Sequence, residues 1–237
     1  MSRHYLRIGE TIANVVADEE FFEIAEAAVK QARKDILQHI RFDPHFQFSM
    51  EPISVPEHSP DIVKRMAAAS TRVGVGPMAA VAGAIAQYAV EVMVARGATH
   101  ILFDNGGDIA MYLDRPAVVG IYSGESGADN LGIRYTTLGE LQGVCTSSAS
   151  IGHSLSLGRT DASIVFSKDV ALADAAATAL GNSITEEDKD QVSHALRTAM
   201  IEDIDGAIVI IGDTIGAAGE IPQIVRANVD FNLIARG

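Results

Sequence analysis

The sequence predicts an α+β fold built largely from antiparallel sheet. Apolar stretches of strand length come in hairpin-like groups around glycine-containing turns, and helical stretches separate these groups. The regular alternation of strand and helix that builds a parallel sheet is not found. With 237 residues, of which 48% are apolar, the chain is long enough to bury a sizeable core. We therefore expect one domain over residues 1–237, with two intimately packed α+β halves as the alternative.

The part of the chain before the central glycine pair predicts one hairpin and three helices. Its first two alternating stretches flank a Gly-Glu turn, as tightly joined strands would. Proline recurs after the first helix, so an extended connection with at most one short strand is expected there. In order, we expect strands at residues 5–8 and 11–16, a helix capped by Asp18 and ending near Arg41, the short strand around 46–50, a helix starting at Pro60 and a helix over 77–95.

The rest of the chain predicts short strands around two further helices. Asp169 is placed to cap an alanine-rich helix that ends at Gly181. Thr185 opens the next helix, with a carboxylate at the capping-box position. The expected strands cover 100–104 and a partner after the glycine turn, then 116–122, 131–135, 143–146, 162–166, 207–211, 215–217, 221–225 and 229–234.

Charge and cysteine content exclude several classes of protein. Eighteen Lys and Arg against 31 Asp and Glu give a net charge of −13, so nucleic acid is not an expected partner. Cys145 is the only cysteine, which rules out an intrachain disulfide, and the first residues lack the apolar core of a signal peptide. Gln87 and Glu91 interrupt the apolar helix at 77–95, which indicates a buried helix and not a membrane span. We expect a cytoplasmic protein without a membrane partner.

The turn Asn105-Gly106-Gly107-Asp108 is the first candidate site. Adjacent glycines allow positive φ, so successive N–H groups can form a concave surface that suits a phosphate. The Asp108 carboxylate would repel that phosphate unless a cation lay between them. The alternative is an ordinary β-hairpin connection, which Asn-Gly and Gly-Gly both favour.

Asp174 and Thr178 form the second candidate site, in the alanine-rich helix. Their i, i+4 spacing puts a carboxylate and a hydroxyl on one face, and these are oxygen ligands that magnesium accepts. The alternative is a surface helix whose Asp faces water. In the Ser-rich run before this helix, a serine and His153 could serve as nucleophile and base, but no Gly-x-Ser-x-Gly elbow supports a serine hydrolase.

Taken together, the motifs resemble the ApbE superfamily in order and spacing. The resemblance covers about residues 76–180. The short chain, without an export signal or a lipid-anchor cysteine, is similar to a small cytoplasmic branch of that superfamily. The segments that carry the resemblance are Asn105-Gly106-Gly107-Asp108-Ile109 after an apolar strand, then Thr146-Ser147-Ser148, then Ala173-Asp174-Ala175-Ala176-Ala177-Thr178-Ala179.

The resemblance implies a fold of two tandem T-fold-like units of largely antiparallel sheet packed with helices. It also implies that the protein binds FAD and Mg²⁺, transfers FMN from FAD to a threonine of an acceptor protein and releases AMP. The site residues implied are Asn105, Gly106, Gly107, Asp108, Thr146, Ser147 and Ser148 at the flavin nucleotide, Asp174 and Thr178 as magnesium ligands, and His153 as the candidate general acid or base.

Two segments depart from the superfamily pattern. The stretch from His153 to Asp161 keeps a His and a Thr but lacks the Asp-Pro and Thr-Gly pairs. Ala86-Gln87-Tyr88 stands where the superfamily has Ala-Lys-Gly-Tyr.

The expected function is a magnesium-dependent FAD-binding or FMN-transferase-like protein. The alternatives are a non-catalytic flavin- or nucleotide-binding protein and an enzyme of related fold in cofactor or sulfur metabolism. The expected partners are a small-molecule nucleotide and an acceptor protein. A homodimer, formed through strand edges or flat helix faces, is left open.

Overall fold

The fold was analysed in a computed structural model that describes residues 1–120, 131–148 and 158–227. An eight-stranded antiparallel sheet carries helices on one face and a three-stranded sheet on the other. The strands are β1 (Ser2–Ile8), β2 (Thr11–Ala17), β3 (Ile101–Asn105), β4 (Asp108–Tyr112), β5 (Ala117–Gly120), β6 (Leu131–Tyr135), β7 (Leu141–Ser147), β8 (Ala162–Ser167), β9 (Gly206–Ile211), β10 (Thr214–Gly219) and β11 (Gln223–Arg226). The helices are α1 (Phe22–Phe42), α2 (His45–Phe48), α3 (Asp61–Val73), α4 (Val81–Ala95), α5 (Val170–Asn182) and α6 (Lys189–Ala199).

The large sheet consists of two similar halves. Its strand order is β1-β2-β3-β4-β7-β8-β9-β10, and the small sheet has the order β11-β6-β5. Each half of the large sheet has two strands, then helices, then two strands, and β4 joins the halves by pairing with β7, with Ile109 opposite Val144. The predicted α+β class and its tandem antiparallel units are thus confirmed.

Two apolar cores lie on opposite faces of the large sheet. The larger core is formed with the helices and includes Phe103, Ala110 and Val165. The smaller one is formed with the three-stranded sheet and includes Met111 and Ile133. Because side chains alternate along a strand, Ala110 and its neighbour Met111 contribute to different cores.

Helices α4 and α5 pack against each other in the larger core. Every residue of α5 from Val170 to Ala177 is buried, which explains a sequence that is apolar on nearly all sides. A Cβ on Gly83 would lie 2.5 Å from the Val170 carbonyl oxygen and 2.7 Å from the Asp174 Cβ. Gly83 therefore permits a backbone-to-backbone approach that no larger residue would allow.

The apolar stretch Pro77–Ala95 is long and apolar enough to cross a membrane. Half of its most apolar window is buried inside the structure. Its α4 part packs against α1, α5, β3 and β4, in agreement with the interpretation as a buried helix.

Three local predictions from the sequence are wrong. Residues 45–48 form α2 in place of a strand, because Phe46 is fully buried and the Asp43 carboxylate accepts the His45 N–H. Asp18 makes no side-chain cap and instead pairs with the amino group of Met1.

The third wrong prediction concerns α6, which begins at Lys189 and not near Thr185. Its cap is Asp188, whose carboxylate accepts the Gln191 N–H at 2.7 Å. The preceding Glu187 contacts the β9–β10 hairpin instead, where its carboxylate accepts hydrogen bonds from the Asp213 N–H and the Thr214 hydroxyl. The strand expected at 229–234 lies outside the described residues.

Candidate functional site

The glycine turn is a two-residue hairpin loop between β3 and β4. Asn105 pairs with Asp108 across it, and Gly106 and Gly107 have φ of 73° and 105°. Positive φ at both central residues is what a tight hairpin turn requires, so the hairpin interpretation is confirmed. The Gly107 N–H donates to Asp104 Oδ1 at 2.9 Å, so this N–H already has an acceptor within the protein. A Cβ on Gly106 would meet nothing within 4 Å, so the tip of the turn faces open space.

Asn105 attaches this turn to the start of α4. Its side chain is buried, and its Nδ2 donates to the Ala82 carbonyl oxygen at 3.0 Å. The asparagine therefore holds the hairpin against the first turn of a helix.

Asp174 binds the same turn of α4 from the other side. Its Oδ2 accepts the Gly83 N–H at 2.8 Å, and the Ala82 N–H also donates to this carboxyl. Ala82 and Gly83 are the second and third residues of α4, so these N–H groups have no partner within the helix. Asp174 is 8% exposed, which excludes the alternative of a surface Asp that faces water.

Asp108 lies beside Asp174 and is the most perturbed carboxyl of the site. Burial and the negative charge of Asp174 raise its pKa well above the usual value. The Cys145 thiol and the Thr146 N–H face this carboxyl and act in the opposite direction. Asp108 is half-buried as a residue, but its Oδ1 is fully enclosed and has no hydrogen-bond partner among the described residues.

Burial also raises the pKa of Asp174 to about 7, although the N–H groups of Gly83 and Ala82 favour the charged form. Two carboxyls thus share one enclosed space with no basic side chain to neutralise them in the described contacts. Such a pair holds either a proton or a cation.

Thr178 lies one turn beyond Asp174 on α5 and is half-buried. No hydrogen bond from its hydroxyl is found among the described residues. In that same part of the chain, no group of three or more His, Cys, Asp or Glu side chains is arranged to hold a metal. A cation at Asp108 and Asp174 would therefore also need hydroxyl, backbone or ligand oxygens. The role of Asp174 and Thr178 as magnesium ligands stays a prediction.

The residues of the Thr-Ser segment at the end of β7 lie in two different surroundings. Thr146 adjoins the glycine turn, because its Cβ lies 4.0 Å from where a Cβ of Gly107 would be. Ser147 is buried and lies near Gly181 at the end of α5, together with Thr160. Ser148 is also buried. His153, the predicted acid or base, lies outside the described residues.

The sequence did not single out Gly83, Cys145 or Asp104 as parts of this site. Gly83 had a usable signal, since a glycine within an alanine-rich helix costs helix stability and usually marks a close approach. Gln87, which stands where the resembled superfamily has lysine, has a packing role. Its Oε1 accepts the Ala171 N–H at 3.1 Å, and its Nε2 donates to Glu91.

Comparison with known proteins gives consistent matches over nearly the whole chain. A family model described as "AbpE bacteria" matches residues 3–218. A UPF0280 protein of Methanocella arvoryzae is 47% identical over 236 residues, which cover 98% of this chain and 94% of the relative. A UPF0280 protein of Methanothrix thermoacetophila is 45% identical over 239 residues, with complete coverage of both chains.

Solved structures agree in fold at low sequence identity. The apo form of the flavinyl transferase ApbE of Pseudomonas stutzeri matches with a TM-score of 0.56 and 13% identity, covering 92% of this chain and 93% of that one. An ApbE protein of Thermotoga maritima matches with a TM-score of 0.58 and 12% identity over the full length of both chains. These structures support the fold and say nothing by themselves about the ligand.

Proposed function

This chain belongs to the family described as AbpE bacteria, and from that premise we propose that it is a magnesium-dependent FAD-binding protein with FMN-transferase-like activity. The proposal includes a nucleotide as the small-molecule substrate and a protein as the acceptor. It places the flavin nucleotide at the glycine turn and the cation at the Asp108–Asp174 pair.

One observation carries the proposal: the enclosed Asp108 Oδ1 lies beside a second buried carboxyl and has no hydrogen-bond partner in the part of the chain that the structure describes. A buried carboxylate oxygen without a partner is costly, and two neighbouring carboxylates cannot both be charged without compensation. A divalent cation would satisfy the free oxygen and remove the repulsion at once. The open space in front of Gly106 supports a ligand next to that cation.

The donor set fits magnesium in kind. Asp108, Asp174 and Thr178 would supply hard oxygens, which magnesium prefers, with water and a phosphate completing its shell. When bound, Mg²⁺ would neutralise charge on the diphosphate of FAD. Gly83 and Ala82 would hold the Asp174 carboxyl in place, and Asn105 would hold the turn against α4.

A second candidate, a protein that binds flavin without transferring FMN, is favoured by Gln87. Its side chain bonds to the backbone of α5 and to Glu91, so it serves packing at a position where the resembled superfamily has a charged lysine. Loss of that charge is compatible with a site that retains the nucleotide.

The test is incubation of the purified chain with FAD, with and without Mg²⁺, while FMN transfer, AMP release and flavin binding are followed together. We expect AMP release that depends on Mg²⁺ and falls at least about 100-fold in Asp174→Asn. This variant keeps a carbonyl oxygen for the Gly83 and Ala82 N–H groups, so its fold should survive.

Asp169→Asn is the matched control, because it changes the capping residue of the same helix away from the carboxyl pair. It should release AMP like the wild-type chain. Tight flavin binding without AMP release would favour the second candidate. Absence of both binding and release, in a folded protein, would refute both.

A further inference from the structure

The free edge of β1 is a second surface of interest. β1 is the first strand of the large sheet, and no described strand pairs with its outer side. Two strands, β2 and β3, separate it from β4, which carries Asp108 of the carboxyl pair. The edge is therefore distinct from the site of the proposed function, and it can be tested independently of that site.

The backbone groups that face this free edge belong to three residues of β1. The turn between β1 and β2 has two residues, and Ile8 and Thr11 pair on either side of it. In such a hairpin the pair next to the turn is hydrogen-bonded, and bonded and non-bonded pairs alternate along the strands. Ile8 and every second residue before it therefore bond to β2. The N–H and C=O groups of Arg3, Tyr5 and Arg7 point outward, where no described backbone group pairs with them.

The same three residues carry the exposed side chains of β1. Arg3, Tyr5 and Arg7 alternate with less exposed positions, and Tyr5 is 55% exposed. The side chains between them point to the helices, because Leu6 lies in the larger core and His4 stacks on a ring of α1. Backbone groups and side chains of one Arg-x-Tyr-x-Arg row thus meet solvent together. We call this row of Arg3, Tyr5 and Arg7 the arginine edge.

The positive charge of the arginine edge is not neutralised by an ion pair. Neither Arg3 nor Arg7 forms one with a described residue. Arg3 lowers the pKa of Asp104 against the larger effect of burial, so it is near that carboxyl without pairing with it. Other acidic groups around β1 already have cations of their own: Asp18 has the amino group of Met1, Glu26 has His4 and Lys30, and Glu10 has Arg33.

We propose that the arginine edge binds an extended acidic segment of a protein partner, which adds one strand to the large sheet. The segment has two acidic residues four positions apart, opposite Arg3 and Arg7, and an apolar residue midway, opposite Tyr5. Pairs of opposite charge, and pairs of an aromatic with a β-branched residue, are stabilising when they lie directly across two strands. Main-chain hydrogen bonds supply the affinity in this mode of binding, and the alternate side chains supply the specificity.

A second copy of this chain fits the arginine edge poorly. Two-fold symmetry makes the pairing of two β1 strands antiparallel. A pairing centred on Tyr5 would then place Arg3 of each copy opposite Arg7 of the other. Like charges directly opposite each other are destabilising, so the charges favour an acidic partner over self-association.

The test is titration of a labelled peptide with the full chain, followed by fluorescence anisotropy. The probe is Thr-Glu-Thr-Val-Thr-Glu-Thr with blocked ends and a rhodamine label, and it matches the arginine edge in charge and spacing. We expect saturable binding with a Kd below about 1 mM. A peptide with Gln in place of both Glu residues should bind at least about tenfold more weakly, because the charge complementarity is lost.

Variants of the two arginines identify the surface to which the peptide binds. Arg3→Gln and Arg7→Gln should each weaken binding about threefold to fivefold, and the double variant at least about tenfold. Arg41→Gln is the matched control, because it removes an exposed arginine of α1 that has no ion pair with a described residue, and it should bind like the wild type. The double variant Arg3→Glu, Arg7→Glu should instead bind the peptide with Lys in place of both Glu residues.

Backbone methylation separates strand addition from attraction between surface charges. One version of the peptide carries N-methyl groups on the Glu and Val residues, and the other carries them on the threonines between. One version should lose binding at least about tenfold and the other should retain it, because alternate N–H groups of an added strand face its neighbour. The proposal is overturned if the acidic peptide does not bind, which would leave the arginines as protection of the edge. It is also overturned if the Gln peptide binds as tightly, if the two methylated peptides bind alike, or if the Arg3→Gln, Arg7→Gln variant binds like the wild type.

Discussion

The two central helices, α4 and α5, begin with aspartate caps of very different origin. At the start of α5, Asp169 accepts the Leu172 N–H at 3.2 Å from a position three residues earlier. At the start of α4, Asp174 accepts the Gly83 N–H from 91 residues away in the sequence. The first cap is half-buried and local, whereas the second is buried and joins two helices.

This difference shows how one carboxyl can have two roles. A local cap such as Asp169 stabilises its own helix, and its loss typically costs about 1 kcal/mol. Asp174 fixes the start of α4 and also faces Asp108, so its protonation state is tied both to helix packing and to the candidate cation site. Its pKa of about 7 records the energetic cost of placing it there.

The largest effect that we expect from this comparison is a pH dependence carried by Asp174 in chelator-treated protein. The folded-state pKa of about 7 lies above the ordinary 3.8, so the folded chain binds this proton more tightly than the unfolded chain does. The stabilisation is complete below about pH 3.8 and is lost as the pH rises through about 7. The total change corresponds to about 4 kcal/mol in the free energy of unfolding.

Urea unfolding of the wild-type chain and Asp174→Asn, from about pH 4 to about pH 8, measures this change. The variant should gain stability relative to the wild type as the pH rises, because residue 174 then carries no charge at any pH. Asp169→Asn is the control, since it removes a capping carboxylate outside the buried pair, and it should follow the wild-type slope. Parallel profiles for wild type and Asp174→Asn would show that the buried charge has no such cost. Saturating Mg²⁺ should flatten the wild-type profile.

Much of the fold could be predicted because its signals are local. The glycine turns, the period-two stretches and the Asp169 cap all lie within a few residues of the structure that they determine, and each of them was found. The pairing of β4 with β7, which unites the halves, involves no local signal. The prediction of a short strand around residues 46–50 also failed, because burial of Phe46 against the helices outweighed the extended character of a proline-rich segment.

The candidate site was predictable only in part for the same reason. Asn105, Asp108 and Asp174 were identified by their residue types and by the order of their motifs. Their contacts with Ala82, Gly83 and Cys145 depend on how α4 and β7 pack, which spacing along the chain does not encode. The sequence indicated Asp108 and Asp174 as carboxyls of the candidate site, but it did not indicate Asp104, nor that Asp174 also holds the start of α4.

A smaller effect on stability is expected at Gly83, where the cap that Asp174 provides for α4 requires close packing of α4 against α5. Gly83→Ala gains up to about 1 kcal/mol from helix propensity, but its Cβ overlaps the Val170 carbonyl oxygen and the Asp174 Cβ. Overpacking of this kind typically costs about 1–3 kcal/mol, so we expect a net loss of about 1–2 kcal/mol in the free energy of unfolding. Chemical denaturation measures it. A more stable Gly83→Ala would contradict the close contact between Gly83 and the Val170 carbonyl oxygen.

The smallest effect on stability is expected at Asp108. This variant nevertheless tests most directly whether the Asp108–Asp174 pair binds a cation. Burial and the charge of Asp174 raise the pKa of Asp108 well above its usual value, which favours the neutral form of this carboxyl when no cation is bound. Asp108→Asn then replaces one neutral group by another of the same shape, and we expect the free energy of unfolding in chelator to change by less than about 0.5 kcal/mol. The stabilisation by Mg²⁺ should nevertheless disappear, since an amide cannot supply the second negative charge. Thermal unfolding with Mg²⁺ and with chelator measures both quantities on the same samples. A strongly destabilised variant in chelator would make Asp108 a structural residue, and an unchanged response to Mg²⁺ would place the cation elsewhere.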